Sequence, residues 1–146
     1  MSKKKLFPLD NQESDLTGET FNDASLRGGL FAHAILTDAS LACCDLTDAI
    51  FCYATLLRTN FYEATLVRAS FDYADLTESD LRRADLTHAD FLRAKMHRVN
   101  VSGAYLGECN LKTADLTGAI ADHATIWPKG FNAEARGVLI QDTGNS

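Results

Sequence analysis

The chain has 146 residues, 46% of them apolar, which is one domain's worth of sequence with the composition of a soluble globular protein. Its apolar runs are only a few residues long, too short to span a bilayer. A net charge of -6, all of it in residues 16–126 with 15 acidic and 9 basic side chains, discourages direct binding to nucleic acid.

Residues 1–15 open with Lys3, Lys4 and Lys5, but Pro8, Asp10 and Glu13 leave no room for the apolar stretch of a secretory leader. The expectation is therefore a cytoplasmic protein whose four cysteines are reduced thiols. The segment is expected to cap the body formed by residues 16–126, and Leu6, Phe7 and Leu9 could fold back over one side of it.

From Leu16 to Ile126 an apolar residue recurs at every fifth position, 23 times without an insertion, and 19 of these are Leu or Phe. Two residues earlier in each unit the side chain is usually small, and in 15 of the 23 it is Ala. A unit such as Ala84-Asp85-Leu86-Thr87-His88 shows the pattern. Five is the wrong period for an α-helix, where such steps scatter the apolar residues by about 140° each. It is also wrong for a straight strand, where odd steps alternate between faces. The pattern makes one core if the chain turns a corner after every unit and closes a four-sided coil in twenty residues. Sorted at that spacing, all six Phe of the repeats fall in two opposite columns, one reading Phe31, Phe51, Phe71, Phe91 and the other holding Phe21 and Phe61.

Tandem units of this type resemble the pentapeptide-repeat proteins. The resemblance covers residues 16–126 and implies an all-β solenoid, a right-handed quadrilateral β-helix of just under six coils with terminal caps. It also implies that the Leu or Phe and the small residue both point inward, and that many members have no assigned biochemical activity.

Residues 127–146 are expected to form the second cap. Asn132 as N-cap and Gly137 as C′ residue bracket at most a short helix, and Trp127, Phe131, Val138, Leu139 and Ile140 could cover the last coil. The stretch from Thr125 to Gly137 resembles the end of many cyanobacterial members.

The chemistry-bearing residues read as structural. His33, His88, His97 and His123 fall in four different columns, so no metal site is expected. Cys44 and Cys109 occupy the inward small position on different sides, too far apart for a disulfide, while Cys43 and Cys52 are expected at the surface. The aspartates recur beside each turn, where a short acceptor can bond the backbone. Charges alternate along the stack in Asp38, Arg58, Glu78, Arg98 and in Asp48, Arg68, His88, Glu108, as ladders that set unlike charges opposite each other. No catalytic residue, cofactor site or substrate cavity is expected. One side stands apart, with outward apolar residues at Leu30, Ile50, Tyr53, Tyr73 and Leu92, and is a candidate protein-contact patch.

Two functions are open to such a chain. The first is a non-catalytic, protein-binding or scaffold module that engages a protein partner or a second copy of itself. The alternative, which the resemblance supplies through its quinolone-resistance members, is a DNA mimic acting on a type II topoisomerase (gyrase). Duplex DNA carries one charge per about 1.7 Å, so a coil rising about 4.8 Å would need roughly three negative charges and the whole stack about sixteen. The excess here is 6.

Overall fold

A computed structural model describes residues 10–141. Leu6, Phe7 and Leu9, and the last five residues of the expected C-terminal cap, lie outside the described residues.

The twenty-residue coil is present. Residues twenty apart pair as parallel bridges in four ladders, of which one runs Asp10, Leu30, Ile50, Ser70, Asp90, Asn110 and another Asp15, Ile35, Thr55, Asp75, Lys95, Asp115. Each side of the square is thus a narrow parallel sheet built from one short extended step per coil. The first rung, Asp10, lies within the segment expected as the N-terminal cap.

Every corner is a four-residue turn closed by a backbone bond, such as Ala24 N to Phe21 O at 3.0 Å. The third residue of the turn sits at positive φ, as at Asp23 (66°), Arg58 (53°) and Tyr73 (62°), which is type II geometry. An L side chain in that region costs about 1–2 kcal/mol. The same peptide unit is repaid by the next coil, where Asp23 N donates to Ala42 O at 3.0 Å. None of the non-Gly residues held at positive φ is β-branched.

Thr113 occupies this third position in the last regular coil and is absent from the positive-φ set, because a branched Cβ fits there worst. Its turn keeps the Ala114 N to Leu111 O bond at 3.2 Å but has turned the peptide between its central residues. Arg93 N, whose usual acceptor would be the Lys112 carbonyl, bonds Thr113 Oγ1 at 2.9 Å instead. The Lys112 carbonyl accepts from Arg136 Nη2 at 3.3 Å.

The core fills the axis of the square. Phe31, Phe51, Phe71 and Phe91 are fully buried, and successive rings stack 4.9, 5.1 and 4.9 Å apart, one coil rise each. Phe61 reaches across from the opposite side and meets Phe51 and Phe71 edge-on at 5.6 and 6.0 Å. Cys44 and Cys109 are buried at the small position, where their thiols bond the carbonyls of Phe21 and Leu86 at 3.0 and 2.9 Å. In the first coil the inward pattern is incomplete, with Leu16 half-buried and Glu19 exposed.

The five-residue register ends at Ala121. Tyr105 pairs with Ile126, one residue later than the spacing requires, so Ile126 faces outward at 48% exposure rather than entering the core. Polar bonds hold the extra residue: Thr125 Oγ1 donates to Val101 O at 3.0 Å, and Asp122 Oδ1 accepts from Gly103 N and Ala124 N, both at 3.0 Å. Thr125 becomes the buried small residue and Trp127 the half-buried central one.

The chain then crosses the open end of the stack. Trp127 and Phe131 stack at 5.3 Å. A single 3-10 turn comes next at Glu134–Arg136, with Asn132 Oδ1 accepting from Ala135 N at 3.1 Å and Gly137 closing it at φ 90°. Strand β1 (Ile120–Ala121) pairs in parallel with β2 (Leu139–Ile140), which covers the last exposed edge of that ladder.

Candidate functional site

The Phe31 side of the square carries the residues singled out from the sequence. Leu30 and Ile50 are successive rungs of one ladder, Leu30 exposed at the 36% level and Ile50 half-buried. Tyr53 and Tyr73 occupy the corner that ends this side, exposed at 53% and 46%, with rings stacked 5.0 Å apart and nearly parallel. Leu92 is half-buried, and its backbone N–H is held by Asp90 Oδ1 at 3.1 Å. The structure therefore brings all five to one side and its corner, spread over four coils.

The sequence reading missed His33. Its ring stacks on Tyr53 at 4.9 Å, extending the aromatic column to three members, and the twenty-residue spacing of 33, 53 and 73 was the available signal. It also missed Asp72 and Asp90 on the same side. Asp72 Oδ1 is buried and makes no hydrogen bond. Burial first, then the neighbouring Asp90, pushes the Asp72 carboxyl above the ordinary range. Exposed large apolar residues elsewhere are more scattered: Ile35 lies just past the aromatic corner, and Tyr105 and Ile126 form a pair on another side.

The remaining chemistry-bearing groups are occupied with the scaffold. Arg58 holds Asp38 through a two-point contact at 2.8 and 3.2 Å, and Arg68 holds Asp48 likewise at 2.8 and 3.1 Å. Arg98 pairs with Glu78 at 3.0 Å and His88 with Glu108 at 3.0 Å, so each expected charge ladder forms as two ion pairs. The recurrent aspartates brace their own turns: Asp75 and Asp115 each accept from the backbone N and the hydroxyl of the Thr two residues on. Hydrogen bonds from Thr117, then from His97, lower the Asp115 carboxyl to about 2. Burial pushes the Cys44 thiol up to about 11 and that of Cys109 to about 12, the reverse of what a reactive thiolate needs.

Two surface recesses occur, of about 460 and 340 Å³. The larger is lined by Tyr62, Arg82, Arg83 and Ser102 beside the slipped residues Asp122 and Ala124. Its arginines are engaged, Arg82 with Asp80 at 2.9 Å and over the Tyr62 ring at 5.1 Å, Arg83 with Glu63 at 3.1 Å. Among the described residues no three His, Cys, Asp or Glu converge as a metal would require, and no helix is long and apolar enough to cross a membrane.

Comparison with known proteins agrees with this geometry. Residues 44–120 match the description of a pentapeptide repeat region. A search of the curated proteins finds no match. Among solved structures, the chain is similar to trypsin-treated QnrB1, a plasmid-mediated fluoroquinolone resistance protein (19% identity, 90% of this chain and 77% of that one, TM-score 0.56). Full-length QnrB1 gives 16% identity over 90% of this chain and 79% of that one, with a TM-score of 0.53. A pentapeptide repeat protein, Rfr23, from the cyanobacterium Cyanothece 51142 is 21% identical over 82% of this chain and 91% of that one, with a TM-score of 0.33.

Proposed function

The chain belongs to the pentapeptide-repeat family, with that family's right-handed quadrilateral β-helix, and from this premise we propose that it is a non-catalytic protein-binding module of the cytoplasm. The observation that carries this reading is the stack of His33, Tyr53 and Tyr73 beside Leu30 and Ile50, set on a scaffold whose other corners carry ion pairs. Exposed aromatic residues on a rigid frame lose little entropy on binding and are the usual anchors of a protein interface. Affinity capture from the source cell, run with wild type, with Tyr53→Ala/Tyr73→Ala and with Arg58→Ala, tests the assignment. A prey protein lost only with the tyrosine double variant supports it. A prey set unchanged by that variant contradicts it.

The fluoroquinolone resistance of QnrB1 keeps a second reading open, a DNA mimic that acts on gyrase. Its charge requirement is not met here, because Asp38, Asp48, Glu63 and Glu78 are each neutralised by an arginine one coil away. The expected result is no inhibition of gyrase supercoiling and no relief of fluoroquinolone poisoning. Dose-dependent inhibition at low micromolar concentration would reverse the order of the two readings.

A further inference from the structure

The side that bears the aromatic stack differs from the other three in how its acids are compensated. All the ion pairs among the described residues lie on those three sides or their corners. On the Phe31 side Asp72 and Asp90 adjoin each other across successive coils, and no Lys, Arg or His pairs with either among the described residues. Asp90 Oδ1 accepts only neutral donors, Leu92 N at 3.1 Å and Asn110 Nδ2 at 3.0 Å. Asp72 Oδ1 is buried without a donor, although the same carboxyl bonds Ser70 and Asp90. A half-buried carboxylate pair without a counter-charge is costly, and it lies directly beside Tyr73.

We propose that this side docks an extended segment of another protein in which a Lys or Arg stands two and four residues from two apolar side chains, all three on one face of the segment. The cation closes on Asp72 and Asp90, while the apolar residues lie on Leu30, Ile50 and Tyr53. This deepens, and rests on, the contact-face reading above. Charge complementarity selects the occupant: a basic side chain supplies the missing counter-ion and can also sit against the Tyr73 ring, whereas an acidic one would bring a third negative charge to the pair. The coil sets the spacing. Along the stack Ile50 lies about one to two coils and Leu30 about two to three coils from Asp72 and Asp90, about 5–15 Å, which an extended chain spans in two to four residues.

The test uses two fluorescein-labelled peptides, Leu-Ser-Leu-Ser-Lys-Ser and the same sequence with Glu in place of Lys, read by fluorescence anisotropy at low salt. Wild type is expected to prefer the Lys peptide by about tenfold, the effect of roughly one partly desolvated charge pair. Asp72→Asn with Asp90→Asn should erase that preference, and Tyr53→Ala with Tyr73→Ala should weaken both peptides. Equal affinity for the two peptides, both lowered by the tyrosine changes, would overturn the basic-segment inference and leave the contact face standing. Binding untouched by the tyrosine changes would overturn the contact face as well. Failure of both peptides at millimolar concentration, or binding seen only after residues 1–9 with their three lysines are deleted, overturns the proposal, the latter in favour of the chain's own segment. A dimer of the wild type that the tyrosine changes dissociate would assign the face to a second copy and likewise overturn it.

Discussion

Phe71 and Ala74 define the two inward positions of a unit, one filled by a large ring and the other by a single methyl group. Phe71 touches rings on three sides, at 5.1 Å (Phe51), 4.9 Å (Phe91) and 6.0 Å (Phe61). Phe71→Ala should cost about 3–5 kcal/mol in a denaturant melt, through lost burial and a cavity that the flanking coils cannot close. Ala74→Leu should be at least as disruptive as ordinary overpacking, about 1–3 kcal/mol, because Ala74 is 1% exposed and its turn has no slack. Either variant within about 1 kcal/mol of wild type would contradict the four-column core. These positions were legible in the sequence because every coil repeats them. Ile126 was not: Ala124 and Ile126 look like an ordinary small and central pair, and only the competing bonds of Thr125 and Asp122 push both outward.

At the scale of turns and ladders, the capping segment depends on one side chain. The Arg136 guanidinium donates to the carbonyls of Leu111, Lys112 and Ala114 at 2.9, 3.3 and 2.8 Å and lies over Phe131 at 5.2 Å. Charge-assisted bonds of this kind contribute about 1.5–3 kcal/mol each when partly buried. Arg136→Ala should therefore loosen the end first. The amides of Gly118, Leu139 and Gln141, which bond across to the cap, should exchange faster while those of the central coils are unchanged. Equal acceleration throughout would mean that the cap and the coils unfold as one unit. The charge ladders act differently. Asp38 and Arg58 are each about half exposed, so Arg58→Ala should change stability by less than about 1 kcal/mol, and less still in high salt. Their carboxyls, with that of Asp115, are held below the ordinary range by hydrogen bonds and neighbouring cations. A depressed carboxyl contributes stability above its unfolded value, near pH 4, and loses it as the folded form is protonated. Melting temperature should thus fall between about pH 4 and the value of about 2 reached by Asp115. A temperature that holds or rises over that window would show the ladders to be unformed. Column sorting exposed the ladders from the sequence, whereas the flipped Thr113 turn is legible only when the φ preference of a branched side chain is set against the geometry of its corner.

Across the whole molecule, three sides are self-sufficient and one is not. The regular core extends under all four, so the contrast arises only from outward residues, which no packing rule constrains. That is why the fold could be read from periodicity while the proposed contact side emerged only in part. Leu30, Ile50, Tyr53, Tyr73 and Leu92 stood out as apolar, but the acids among them looked like the other turn aspartates until their partners could be compared. The four tyrosines provide the most direct test of the central claim that binding runs through the aromatic side: Tyr53 and Tyr73 lie on it, Tyr62 and Tyr105 lie away from it. Hydroxyl-radical footprinting of the protein alone and with its captured partner should show oxidation of Tyr53 and Tyr73 suppressed by the partner and that of Tyr62 and Tyr105 unchanged. Suppression at Tyr62 or Tyr105, with Tyr53 and Tyr73 still open to oxidation, would contradict it.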